Sequence, residues 1–176
     1  LQQDRQVKMM AKSIETKVSS ALKEMLEKDR EGYEKFFDNF GLNLKAGILA
    51  DYGLNKDKLQ DFMIFRSSNE GKYVTLKEYV DRMKDDQKAI YYAIGKSVDE
   101  IQNLPAMGKL KEKGYEVLYF LDERDEFVAN TLMNYAEKPF QSVNKGDLDL
   151  ESDEEKKTRE EKAEAKLKEL RGGENE

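Results

Sequence analysis

The densest set of chemically capable side chains in the sequence is the acidic cluster Asp122, Glu123, Asp125 and Glu126. Four carboxylates at one junction could hold Mg²⁺ or divide the work of a general acid and a general base. The same residues also suit the start of a helix. Asp122 is a good N-cap, and acids in a first turn are favoured by the helix dipole. A second candidate is Gly95-Lys96-Ser97, which follows an apolar run where open α/β sheets often bind ligands. It lacks both G-x-x-x-x-G-K-[ST] and G-x-G-x-x-G, so a plain turn is the simpler reading. Phe127 stands beside the acids in the first turn of the same predicted helix. An aromatic ring there either joins the core or protrudes, and a protruding ring flanked by carboxylates suits apolar chains with basic flanks.

What is absent narrows the chemistry. The 176 residues contain no His, no Cys and no Trp, and 31 bases stand against 37 acids. Zinc fingers, Ser-His-Asp triads, thiol nucleophiles and disulfide frameworks are excluded, and any metal site would be all-oxygen. The pI near 5.1 argues against a nucleic-acid binder. No run reaches the length of a membrane span, and LQQDRQVKMM is no signal peptide. We expect a soluble cytoplasmic chain, and its start inside a predicted helix without Met suggests a piece of something longer.

Elements must position these residues. Val7, Met10, Ala11, Ile14, Val18, Ala21, Leu22, Met25 and Leu26 recur every three or four residues, predicting one long amphipathic helix to about Lys28. Tyr33, Phe36, Phe37 and Phe40 predict a second helix, weakened at its end by Gly41 and Gly47. Leu59, Phe62, Met63 and Phe65 predict a third over about 56–65. RSSNEGK (66–72) reads as a loop, and Thr75 with Glu78 as a capping box. AIYYAI (89–94) and EVLYFL (116–121) predict buried strands, with Tyr91 and Tyr92 on opposite faces. Ser97 with Glu100 opens a short helix, and Gly114 ends another. A helix from Glu123 to about Glu137, stopped by Pro139, leads to a third short strand at 140–143.

The expected fold class is therefore α+β, shading into α/β. A three-helix coil (1–70) precedes a small αβα unit (71–150) with a short, parallel, three-stranded sheet. A charged helix or linker (151–176) follows, with ten acids against seven bases.

Several stretches together carry a resemblance. They are LQQDRQVKMMAKSIETKV, YEKFFDNFGLNLKAGI, TLKEYVDRMKDDQKAIYYAIGKS, KGYEVLYFLDERDEF and KPFQSVNKGDL. In this order they resemble the bacterial HtpG branch of the ninety-kilodalton heat-shock protein family over residues 1 to about 150. Lys88, Ile90, Tyr91, Tyr92, Gly95 and Ser97 carry the most specific part. The resemblance implies a dimeric, ATP-dependent molecular chaperone and places this chain in the second part of its middle domain. It implies ATP and Mg in the parent, with no cofactor and no ATPase in this piece. Leu1, Gln2 and Gln3 match the end of the family's R-E-x-L-Q-Q loop, which puts Gln2 near the γ-phosphate in the parent. Its Arg would lie three positions before Leu1. Glu126 and Phe127 match the family's acid–aromatic position for client contact, where bacterial members often carry Trp. The implied partners are unfolded or partly folded clients, the N-terminal ATP-binding and C-terminal dimerisation domains, and a second copy of the parent. Two other readings stay open at this point. One is a stand-alone acidic adaptor binding partner helices. The other is an α/β enzyme using Asp122 and Asp125 with a metal.

Overall fold

The computed structural model describes residues 2–145, 150 and 153–172. Helix α1 (Gln2–Lys28) contains no Gly or Pro, and Lys28 pairs with Glu24 at 3.1 Å. Its apolar stripe is used unevenly. Leu22, Met25 and Leu26 pack on the core, whereas Val7, Met10 and Val18 remain exposed. The side chains of Ala11 and Ile14 lie outside the described residues. Length explains the division: 27 residues make a rod of about 40 Å, longer than the α2 helix it meets.

Helix α2 (Arg30–Leu49) starts at Asp29, whose side chain accepts from the Gly32 amide at 3.1 Å. Tyr33, Phe37, Gly41, Lys45 and Ile48 form its buried face. The expected weakening at the glycines does not shorten it. A Cβ at Gly41 would meet the Phe37 ring at 3.1 Å, and one at Gly47 would meet Leu59 at 2.8 Å. Both glycines let neighbouring side chains approach, and the packing outweighs their poor helix propensity. A 3₁₀ turn (Ala50–Gly53) follows, then α3 (Lys56–Leu59) and a second 3₁₀ turn (Gln60–Phe62).

The third helix expected over 56–65 stops at Phe62. Phe65 belongs instead to strand β1 (Ile64–Ser67), paired antiparallel with β2 (Tyr73–Thr75). The segment 66–72 forms the end of this hairpin, where Glu70 and Gly71 take φ of 60° and 69°. The hairpin straddles residue 70, so the sheet draws on the chain before it as well as after it.

Thr75 then caps α4 (Leu76–Asp81) in the expected capping box: it accepts from the Glu78 amide, and Glu78 accepts from the Thr75 amide. The remaining elements are β3 (Ile90–Ile94), α5 (Val98–Gln102), α6 (Pro105–Lys113), β4 (Val117–Phe120) and α7 (Glu123–Leu132). β5 (Asn134–Tyr135), β6 (Lys138–Ser142) and α8 (Asp153–Gly172) complete the order. The sheet runs β2-β1-β4-β3-β6-β5. The expected parallel trio is its centre, β3 pairing parallel with both β4 and β6. The sheet is wider than expected because β1 and β2 extend it antiparallel on one side and β5 on the other. Helix α7 also ends five residues early. Met133 leaves helical geometry at φ 65°, and Ala136 and Glu137 turn the chain back into β6.

Alternation along the central strands divides the interior in two. Ile90, Tyr92, Leu118 and Phe120 face α2 and α7, while Tyr91, Ala93, Val117 and Tyr119 face α5 and α6. The two tyrosines therefore point oppositely, as their period demands, and both are covered. Tyr79 fastens α4 to this sheet. Its hydroxyl donates to the Glu116 carbonyl at 2.6 Å and accepts from the Gln87 side chain and the Tyr91 amide. The tail is helical as expected. The side chains described in α8 are exposed, and residues 173–176 lie outside the described set.

Candidate functional site

Asp122 is the N-cap of α7, accepting from the Arg124 amide at 3.0 Å. Behind the acids stands Lys45, which α2 carries on its buried face. Its ammonium lies 2.7 Å from Asp125 and 3.3 Å from Asp122, with the side chain 10% exposed. A cation already occupies the space that a metal between these two carboxylates would need. The acids respond in opposite directions. Burial pushes the Asp125 carboxyl up, against the pull of Lys45. Burial also raises Asp122, but the Arg124 amide and the Lys45 ammonium outweigh it and hold that carboxyl below its ordinary value. Among the described residues, no group of three or more acids is placed to hold a metal ion.

Sequence reasoning missed Lys45. The signal was present, because Lys45 continues the stripe Tyr33, Phe37, Gly41 at spacings of four. A lysine within an apolar helical stripe needs a buried counter-charge.

The remaining candidates separate. Glu126 is half-buried, with its carboxylate 3.7 Å from the Lys145 ammonium. Phe127 is 61% exposed on the first turns of α7. The lower end of α7 rests on the 3₁₀ turn: a Cβ at Gly53 would meet Thr131 at 2.7 Å, and Lys56 donates to the Thr131 carbonyl at 3.4 Å. Thr131 lies one helical turn beyond Phe127, so the exposed ring sits on a helix pinned at both ends. Gly95-Lys96-Ser97 is a packing turn. A Cβ at Gly95 would meet Ile101 at 2.7 Å, the Lys96 amide donates to Glu100, and Ser97 caps α5. Gln2 lies in α1, but its side chain is outside the described residues.

The family model described as Hsp90 protein matches residues 1–173. The chain belongs to the Hsp90 family. This Hsp90-family chain is 53% identical over 158 residues to the chaperone protein HtpG of Clostridium botulinum, strain Langeland, covering 90% of this chain and 25% of the relative. It is 53% identical over 161 residues to HtpG of Oceanobacillus iheyensis, covering 92% and 26%. Among solved structures, it is similar to the middle domain of a heat shock protein from Plasmodium falciparum. That match has a TM-score of 0.72 and 34% identity, covering 81% of this chain and 60% of the other. The chain thus spans about a quarter of the length of the curated relatives it matches.

The described residues of this Hsp90-family chain do not assemble a site for ATP and Mg. The two acids closest to a paired arrangement, Asp122 and Asp125, are held by Lys45. The first turn of the small αβα unit spends its amides on Glu100 and Ser97.

Proposed function

We propose that this segment serves an ATP-dependent, cytoplasmic chaperone of the HtpG type by presenting a rigid client-contact surface on α7. Asp122, Asp125 and Lys45 fix the start of the helix, and Gly53 with Lys56 fixes its end. Phe127 faces solvent between those anchors, with the half-buried Glu126 beside it. The observation that carries the reading is the 61% exposure of Phe127 on a helix whose other apolar side chains, Val128, Ala129 and Leu132, are buried. A large exposed aromatic beside carboxylates offers apolar area to a partly unfolded chain and attracts its basic residues. In this reading the segment also links the ATP-binding and dimerisation domains of a homodimeric parent. We place the helical coil before β1, the αβα subdomain from β1 to 150, because the β1–β2 hairpin straddles the boundary expected at 70, and the charged linker at 151–176. Nucleotide-driven movement of the other domains would re-aim α7 as a rigid body. The acidic-adaptor reading is not favoured, because the chain belongs to the Hsp90 family and is similar to HtpG chaperones over nine-tenths of its length.

The test is affinity for an unfolded client. Phe127→Ala in a full-length HtpG-type protein carrying this segment should weaken client binding while leaving its melting temperature unchanged. A calorimetric titration of the 176-residue chain with ATP should give no saturable heat, and micromolar binding would overturn the assignment of the nucleotide site to other domains.

A further inference from the structure

On the sheet face opposite α7 lies a cleft of about 830 Å³, between α6, the β1–β2 hairpin and the segment after α4. That volume is in the range of small-molecule sites, roughly 300–1,000 Å³. Met107, Leu110 and Tyr115 supply apolar walls, and Arg82, Lys84 and Lys111 supply positive charge. The cleft's acid, Glu116, is already committed. Arg82 binds it through two nitrogens at 2.8 and 3.0 Å, and Ser67 donates to it at 2.8 Å. Lys84 and Lys111 form no ion pair among the described residues, so the cleft carries unmatched positive charge on a chain of net charge −6.

The Tyr115 ring lines the cleft and is held by stacking 5.8 Å from Tyr91, and the Asp86 carboxylate lies beside its buried hydroxyl. Gly108 leaves a gap in the α6 wall, where an added Cβ would meet nothing within 4 Å.

We propose that this cleft binds an organic anion: a carboxylate or phosphate carried on an apolar or aromatic body. Lys84 and Lys111 hold the anionic group, and Met107 covers the body. The site is separate from the α7 surface and does not depend on the client reading.

Titration of the ¹⁵N-labelled chain, followed by amide chemical shifts, tests the proposal. Phenyl phosphate and the acidic peptide acetyl-Glu-Phe-Glu are the anionic probes, and benzyl alcohol is the neutral one. Saturable shifts at Ser68, Asn69, Lys84, Gly108 and Lys111 are expected with an anion and not with benzyl alcohol. The tighter of the two anions identifies the source as a small molecule or a protein segment. In Lys84→Gln/Lys111→Gln the affinity should fall at least tenfold. Gly108→Leu fills the gap with a better helix former. It should abolish the shifts while the melting temperature holds or rises. Non-saturable shifts, equal response to benzyl alcohol, or unchanged affinity in both folded variants would overturn the proposal.

Discussion

Removing the Lys45 ammonium leaves two carboxylates facing each other across the start of α7. Asp125 is 6% exposed and cannot recover its hydration. Breaking a buried pair from one side typically costs about 3–5 kcal/mol, so Lys45→Met should destabilise the fold by about that amount in urea titrations. Lys45→Met with Asp125→Leu should recover most of the loss, because a well-packed apolar pair replaces the stranded charge. The pH dependence separates the two acids. Asp122 is held below its ordinary carboxyl value of 3.8, so its stabilisation is present above that value and lost as pH falls through the lower folded value. Asp125 is raised, so its contribution is complete below 3.8 and declines as pH rises through its higher folded value. Urea midpoints against pH should therefore fall less steeply on the acid side in Asp122→Asn, with Glu78, also held below its ordinary value, supplying part of what remains. In Asp125→Asn they should lose the decline that sets in above the ordinary carboxyl value. Identical profiles for wild type and both variants would refute the assignment.

At the scale of elements, the strained hairpin between β5 and β6 is the most testable feature. Ala136 and Glu137 take φ of 49° and 65°, the double left-handed turn normally given to Asn-Gly. Left-handed backbone costs an L-residue roughly 1–2 kcal/mol. Ala136→Asn/Glu137→Gly should therefore stabilise by about 1–2 kcal/mol, read as a higher melting temperature; a lower one would contradict the turn. This turn also shows where sequence reading stops. Ala-Glu carries no turn signal, and the residues from Asn134 to Glu137 extend a helical pattern. Tertiary pairing with Lys138 and Pro139 turns them into a hairpin. Phe65 failed for a related reason, since a short apolar run fits a helical stripe or a strand equally well. Thr75, Ser97, Asp122 and Gly114 were legible because a cap depends on residues within one turn. The parallel centre of the sheet was legible because Tyr91 and Tyr92 lie in an apolar run bounded by turn residues. Lys45 required knowing that α2 packs against α7, which no local pattern states.

Over the whole molecule, the sheet separates two working faces. One carries α2 and α7 with the exposed Phe127; the other carries α5, α6 and the positively charged cleft. Helix α1 projects beyond the core, and Val7, Met9 and Met10 are each more than three-fifths exposed. The α8 helix continues the chain outward and is tied back by the Lys113–Glu155 ion pair. An arrangement with helices at both ends of the sheet suits the proposed role of a segment that transmits orientation between larger parts. In the proposed function Phe127 holds client. The direct measurement is the affinity of a full-length HtpG-type protein carrying this segment for an unfolded client, with Phe127 and with Phe127→Ala. Burying a Phe side chain contributes about 1.5–3 kcal/mol. The account therefore predicts affinity weakened by about tenfold or more, at an unchanged melting temperature. Equal affinity in two equally stable proteins would contradict it.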